Sequence, residues 1–397
     1  MRASHWLMQP RFYLLLLVAL LFSALIGAAA GLFWVVLYAG IDFVWETIPA
    51  ALGFEHIQVW YILLICTAGG ALVGLCQRYL GDHPKEMKEE LREFRAHKRF
   101  DTAHIPQGMI TSFISLSAGA SLGPEAPLFG LSGGLSSLAA DQLRRLSGST
   151  AGKPSELWTP RIHRVLLIAG IAVGLFAFVR VAIAGGVLGE GGFFDASLYE
   201  FSWDHLFWAL PASVIGIFAG YLFLNLHRML RRWAAAYQHV PFWRGLVGGA
   251  IFGIAAALFP LILFSGQHSL HDIQVHGLDM AWTTLLLSGL LKLLIVPVLL
   301  NSGWKGGTFL PLMTSSAILA MLISFVVPGL PPLVPMTAAM AAIAAITLGN
   351  PIIALLTMVT LAPISTIGMT LVAIALSLLV TRTAARLEKS AVVPKSA

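Results

Sequence analysis

The amino-acid sequence predicts an all-α polytopic membrane protein of two inverted-topology halves, with broken re-entrant helices meeting at mid-membrane. Three observations carry that expectation. Hydrophobic residues make up 57% of the 397 and charged residues 11%, with a mean hydropathy of +0.82; a soluble chain carries about a quarter charged residues. Alternating ten-residue strands are absent, so the demand that lipid makes on backbone polar groups points to helices rather than a barrel. Short apolar spans broken by Gly and Pro recur at corresponding places in both parts of the chain, a pattern of inverted repeats. The halves are expected at 1–205 and 206–381, with a cytoplasmic tail at 382–397.

The first span is RFYLLLLVALLFSALIGAAAGLFWVVLYAG, residues 11–40, too long for the apolar core of a cleavable leader. Arg2 and Arg11 precede it, and Asp42, Glu46 and Glu55 follow without Lys or Arg, which sets the N-terminus inside. A second span, 57–79, ends at Arg78. The charged stretch GDHPKEMKEELREFRAHKRFDTAH reads as a short, solvated cytoplasmic helix, with Asp82 as cap and Pro84 in its first turn. Two short apolar pieces, 105–122 and 124–142, are separated by SLGPE. A basic loop leads to a span at 163–189, and the acidic stretch GEGGFFDASLYEFSWD closes the first half. The second half predicts spans at 206–226, 244–265 and 281–301, the interruption NSGWKGGTFLPL, then 312–328, 334–349 and one long run, 351–380. The stretch SGQHSLHDIQVHGLDM, lacking Lys and Arg, is expected as an outside loop, and the basic tail as cytoplasmic.

One acid stands out. In GASLGPEAPLFGLSGG, residues 119–134, Glu125 lies between Pro124 and Pro127 inside a run otherwise fit for the membrane interior. Gly123 supplies backbone freedom, and Pro124 suits a first helical turn. A helix that begins at mid-membrane turns about half a positive charge and unpaired N–H groups toward whatever lies ahead of it, which makes an anion site. Two readings of Glu125 follow. In one, its carboxylate fills that site as a tethered competitor for a free anion and leaves when protonated, so that it is both gate and proton acceptor; an intramembrane ionisable group is functional by default. In the other, it is a first-turn acid that satisfies a helix start.

These motifs carry a family resemblance. GASLGPEAPLFGLSGGLSS resembles the Gly-Lys/Arg-Glu-Gly-Pro signature of the CLC family of chloride channels and proton/chloride antiporters, and SGWKGGTFLPLMTSSA resembles its Gly-Gly-Ile-Phe-Ala-Pro signature. Lys292 in LLKLLIVPVLLNSG fits the family's Lys before the second motif, and AGIAVGLFAFVRVAIAG is similar to the helix carrying Ala-Gly-Leu-Ala-Ala-Ala-Phe-Asn-Ala-Pro. The Gly-Pro-Glu variant is most similar to a bacterial subgroup of ion-transport proteins of unassigned substrate. The resemblance implies one pore per subunit in a homodimer, with chloride or a related anion as cargo, moved by a channel or by a proton-coupled antiporter, the two left open; nothing in the sequence specifies a cofactor. It puts Glu125 on the gating glutamate and the amides of Thr308 and Phe309 at the central anion, with Gly306 and Gly307 allowing close backbone approach and Pro311 starting the helix. Gly123, Ala126 and the other first-turn amides to residue 128 complete the expected anion site.

The chain also departs from the family pattern. The family's ion-binding serine falls on Gly81, and Asp82 is expected beside the inner anion route, where a carboxylate repels chloride. No Tyr occurs after Tyr237, so the family's central tyrosine has no counterpart near the C-terminus. Glu190 lies near the place of the inner proton-transfer glutamate. Arg180 sits where the family has a small residue; it raises the local anion concentration, holds Glu125 ionised, pairs with Glu190, or snorkels to the interface. Lys292 and Arg180 are expected to supply background positive potential.

The remaining signals are weaker. The net charge of +6 is assigned to basic cytoplasmic loops rather than to nucleic-acid binding, and Cys66 and Cys76 to packing in one apolar span. HDIQVH spaces its histidines five apart, which does not suit a metal pair on one helix face, so no metal site is expected. Gly130/Gly134 and Gly249/Gly253 are read as close helix packing. No P-loop, HExxH, dinucleotide fingerprint or nucleophile–base pair occurs, so an enzyme is not expected. The expected function is anion transport, most simply of chloride, in a bacterial inner membrane surrounded by lipid; fluoride or another anion, or a non-transporting scaffold or sensor, are the alternatives.

Overall fold

The structure is a computed structural model that describes residues 10–85, 87–97, 99–146, 193–195, 197 and 199–392. Among these the chain is helical without β-strands, and seven helices are long and apolar enough to cross a membrane. The first part contains α1 (Pro10–Asp42), α2 (Val59–Leu80), α3 (Met87–His97), α4 (Ile105–Ser117) and α5 (Glu125–Leu146). The second contains α6 (His205–Ala234), α7 (Pro241–Leu258), α8 (Gln267–His276), α9 (Trp282–Asn301) and α10 (Phe309–Val326), then α11 (Leu333–Leu348), α12 (Pro351–Leu361) and α13 (Ile367–Val392). The span expected at 163–189, with Arg180, and Glu190 beyond it, lie outside the described residues.

Length decides where helices stop. At about 1.5 Å per residue, the 13-residue α4 reaches about 20 Å and cannot cross a hydrocarbon layer of about 30 Å. It ends at the signature loop 118–124, inside the fold, where Ala118, Ala120 and Leu122 are all buried. The 16-residue α11 is also too short to span, and Leu333–Thr347 is buried on every side. An apolar helix without a polar face belongs in the interior, and here α6, α10 and α13 surround it.

The two halves meet along α2 and α7. Cys66 faces Gly249 and Gly253, Gly70 faces Gly245 and Gly249, and Gly74 faces Phe242 and Gly245, so the helices run antiparallel. Their backbones nearly touch: a Cβ on Gly70 would lie 2.3 Å from the Gly245 carbonyl oxygen, and one on Gly245 would lie 2.3 Å from that of Gly70. Small residues permit such contact in a membrane, where dispersion rather than water expulsion drives association. The expected close packing at Gly249/Gly253 is thus an internal contact of this chain.

Three expectations are corrected. The run 351–380 is two helices, because Pro363 cannot continue the first; the second then carries on through the charged tail to Val392. The expected outside loop at 265–280 contains α8, which the apolar residues Leu270 and Ile273 bury against the core. The charged segment after α2 is no freely solvated connector. Phe94 stacks on Phe100 at 4.7 Å, Phe100 meets Phe129 of α5 edge-on at 5.5 Å, and α3 is thereby docked on α5.

Gly70→Leu drives a branched side chain into the α7 backbone, an overpacking that costs about 1–3 kcal/mol or more. The expected result is loss of the monodisperse peak in size-exclusion chromatography, with Gly70→Ala less damaging than Gly70→Leu.

Candidate functional site

The site begins as a backbone problem. Between α4 and α5 the amides of Ala118, Gly119 and Ala120 bond back to the last turn of α4, and the remaining buried N–H and C=O groups need partners. Neighbouring segments provide them. Trp45 donates its Nε1–H to the Ser117 carbonyl at 2.9 Å, and the Phe264 amide donates to the Gly119 carbonyl at 2.9 Å. The segment holding Phe264 is itself fixed by Lys292, which is fully buried and donates to the carbonyls of Ile262 at 3.1 Å, Leu263 at 3.4 Å and Phe264 at 2.9 Å. Lys292 thus anchors the loop's support and makes no contact with Glu125 among the hydrogen bonds and ion pairs described.

The two signature loops then pair with each other. Gly123 donates to the Gly307 carbonyl at 2.8 Å, and Gly307 donates back to Gly123 at 2.5 Å, forming an isolated antiparallel bridge. This places the first turn of α5 beside the first turn of α10. The Glu125 carboxylate crosses the gap: its Oε1 accepts from the Phe309 amide at 2.8 Å and the Leu310 amide at 3.2 Å. Its Oε2 is buried and has no hydrogen-bond partner. The carboxyl group lies between two bare backbones, for a Cβ on Gly123 would fall 1.8 Å from Oε2 and one on Gly307 would fall 2.0 Å from Glu125 Cδ. No residue but glycine leaves that space.

Chemically, a carboxylate is held by the first-turn backbone N–H groups of another helix. Two helix N-termini aim their positive ends at one spot, and charge-assisted N–H bonds hold the oxygen there. The unpartnered Oε2 is an acceptor on which a proton can be carried. The structure brings together the expected residues Glu125, Gly123, Gly306, Gly307 and Phe309, while Ala126 is buried next to Glu125 in the chain, with three refinements. The amides of Gly123 and Gly307 are engaged with each other. Thr308 is the N-cap of α10 and accepts from Leu312 at 3.2 Å. Leu310, one residue further on, supplies the second amide, a position the motif comparison missed because it depends on how the carboxylate enters. Tyr38 lies on α1 with its ring 4.6 Å from that of Trp34.

At the end of α2 the expectation for Asp82 changes. It follows Gly81, the α2 C-cap at φ +88°, but it is no bare repelling charge: Lys305 Nζ lies 2.7 Å from its Oδ1. Lys305 directly precedes the Gly306-Gly307 pair, and its amide donates to Ser115 Oγ at 3.2 Å. The ammonium cancels most of the repulsion that sequence reasoning assigned to this position.

A cavity opens on the flank of α5 beside α3, lined by His83, Glu90, Glu93, Asp101, His104 and Pro127 among others. Glu90 leans on Gly130, with its Oε1 3.2 Å from where a Cβ would be, and its Oε2 is buried without a partner. Burial, with Glu93 adding and Lys85 opposing, pushes its carboxyl up to about 7. A carboxyl raised in the fold contributes stability that is complete below its ordinary range near pH 4 and is lost as pH climbs to about 7. Glu90→Gln is therefore expected to raise the melting temperature at pH 8 and to remove part of the wild-type decline between pH 4.5 and 7, read by thermal unfolding across that range.

The sequence and the fold resemble those of known proteins. The Voltage gated chloride channel family aligns with residues 69–190 and 177–382. YfeO of Salmonella paratyphi A, whose name assigns it ion transport by inference, is 25% identical over 365 residues, covering 81% of this chain and 84% of that protein. YfeO of Escherichia fergusonii is 26% identical over 362 residues, covering 82% and 83%. Among solved structures, a slow cyanobacterial Cl−/H+ antiporter superposes with a TM-score of 0.70 at 17% identity, covering 94% of this chain and 95% of the other. A CLC-type fluoride/proton antiporter gives 0.69 at 15% identity, covering 94% and 96%.

Proposed function

The chain belongs to the voltage-gated chloride channel family, and from that premise we propose that it moves chloride across a bacterial inner membrane, with Glu125 as gate. It is an integral membrane protein whose family supports anion transport. The observation that carries the finer reading is the Glu125 carboxylate lying in the Phe309 and Leu310 amides. A chloride ion has the same charge and needs the same N–H donors, so ion and carboxylate exclude each other. Protonation of Glu125 weakens its claim on the amides and opens the position. Dipoles and N–H groups replace water around the ion without a full countercharge, which keeps binding weak enough for release. On this reading the protein is a transporter or channel rather than an enzyme, and it works as a homodimer with both termini in the cytoplasm.

Proteoliposomes test this. Wild-type protein is expected to release chloride, faster at acid pH, and Glu125→Gln is expected to keep flux while losing that pH dependence. Unchanged pH dependence in the variant contradicts the gate assignment, and absent flux in the wild type contradicts transport. A shift of reversal potential under a pH gradient marks proton coupling, and competition by fluoride against chloride identifies the preferred ion.

A further inference from the structure

The helix that carries Glu125 in its first turn is gripped along one face by a charged segment. Pro127, Gly130, Gly134, Ser137 and Asp141 recur on α5 every three or four residues and so form one stripe. α3 and residues 99–104 lie along it. Glu90 of α3 rests on Gly130. The Phe100 ring packs on Gly133, 2.8 Å from where a Cβ would be. The Phe100 amide donates to Ser137 Oγ at 3.0 Å, and Arg99 Nη2 lies 2.8 Å from Asp141 Oδ2. Phe100 and Ala140 are buried at the centre of this contact, with Phe94 and Phe129 packed against them.

One contact in this grip depends on a proton. The cavity between α3 and α5 is lined by Glu90, whose Oε2 is buried without a partner. The other charged and titratable groups around it are Glu93 of α3 itself, His83 and Lys85 before that helix, and Arg99, Asp101 and His104 after it. α4 contributes Ile105, Gly108 and Met109, and α5 contributes Pro127, Gly130 and Leu131, none of them charged. Both cations are engaged by other acids, Lys85 by Glu93 at 2.6 Å and Arg99 by Asp141. His104 bonds Asp101 at 2.6 Å and stacks on His83 at 4.0 Å. Glu90 thus meets an uncharged wall of α5, where an ionised carboxylate is costly and a neutral carboxyl is not. Burial, with Glu93 adding and Lys85 opposing, accordingly raises it to about 7.

Resting on the gate assignment above, we propose that α3 and residues 99–104 form a proton-operated strap on the gate helix: protonated Glu90 holds it against Gly130, and ionised Glu90 releases it. The bound strap is autoinhibitory. Pro127 lines the cavity and stands two residues from Glu125, so a strap fixed on this stripe restrains the turn from which Glu125 must swing to clear the Phe309 and Leu310 amides. Ionisation exchanges the Gly130 contact for water, and α5 recovers its freedom. The strap acts on Glu125 through packing alone, and no proton passes between the two carboxyl groups.

Hydrogen exchange of the α3 amides reads the strap directly, because a helix of 11 residues is marginal once released. The neutral form is the docked one. After correction for intrinsic exchange, wild-type protection is therefore expected to fall about tenfold for each unit between pH 5 and 7 and to level off above, whereas Glu90→Gln stays protected throughout. Chloride efflux from proteoliposomes reads the consequence. Glu125 titrates in both proteins, so their ratio isolates the strap: the two are expected to match at pH 5, with the wild type about two- to fivefold faster than Glu90→Gln at pH 7.5. Phe94→Ala loosens the strap through another contact and is expected to exceed the wild type at pH 5. Protection that is flat with pH, or that falls equally in Glu90→Gln, overturns the strap, as does a response kept by Glu90→Gln and abolished by His104→Gln. Efflux shifted in the same direction by Glu90→Gln and Phe94→Ala overturns autoinhibition. Size-exclusion profiles confirm folding; should Phe94→Ala fail, the ratio of wild type to Glu90→Gln decides. Wild-type protein without efflux overturns the transport reading, and the exchange result then decides the strap by itself.

Discussion

The fold converges on one contact: a carboxylate held by the first-turn amides of a helix from the other half of the chain. Everything near it serves that geometry. Two glycine backbones bridge to each other so that the first turns of α5 and α10 stand side by side, and the carboxyl group fills the space their missing side chains leave. A charge at membrane depth is expensive unless polar groups replace its water. Here the replacement is backbone N–H, which does not ionise and has no side chain to move. On the proposed reading, such donors serve the protein's own oxygen and a free ion alike.

Supports for this contact come from distant parts of the chain. Trp45, just after α1, bonds the last carbonyl of α4, Phe264 after α7 bonds the Gly119 carbonyl of the loop before α5, and buried Lys292 holds Phe264 in place. Lys292 had been expected to provide a background potential. Its bonds to three carbonyls make it an anchor first, because a fully buried ammonium needs acceptors at close range. The antiparallel seam of α2 and α7 fixes the ends of those helices so that Gln77, Arg244 and Asp82 meet the loop before α10.

Much of this was legible in the sequence. Composition and the Gly-Pro interruptions point to a helical membrane fold with broken helices, and the two motifs mark Glu125 and Gly306-Gly307. What was not legible depends on spatial pairing between remote segments. Nothing in the sequence joins Asp82 to Lys305, which is why Asp82 read as a repelling charge. Leu310 was overlooked because a motif locates a helix start, while the entry angle of a side chain selects which amides it reaches. The amphipathic helix α8 read as a loop because its polar residues dominate, yet Leu270 and Ile273 are enough to dock it. Pro363 split a run whose hydrophobicity alone looked continuous.

The central claim is that the amides of Phe309 and Leu310 bind whichever anion is present, with Glu125 as the resident. The most direct test is a crystal structure of Glu125→Gln protein grown in bromide, with anomalous scattering used to locate the ion. The account predicts a bromide peak within hydrogen-bonding distance of both amides. A peak found only elsewhere, with those amides holding water or the glutamine side chain, would contradict it.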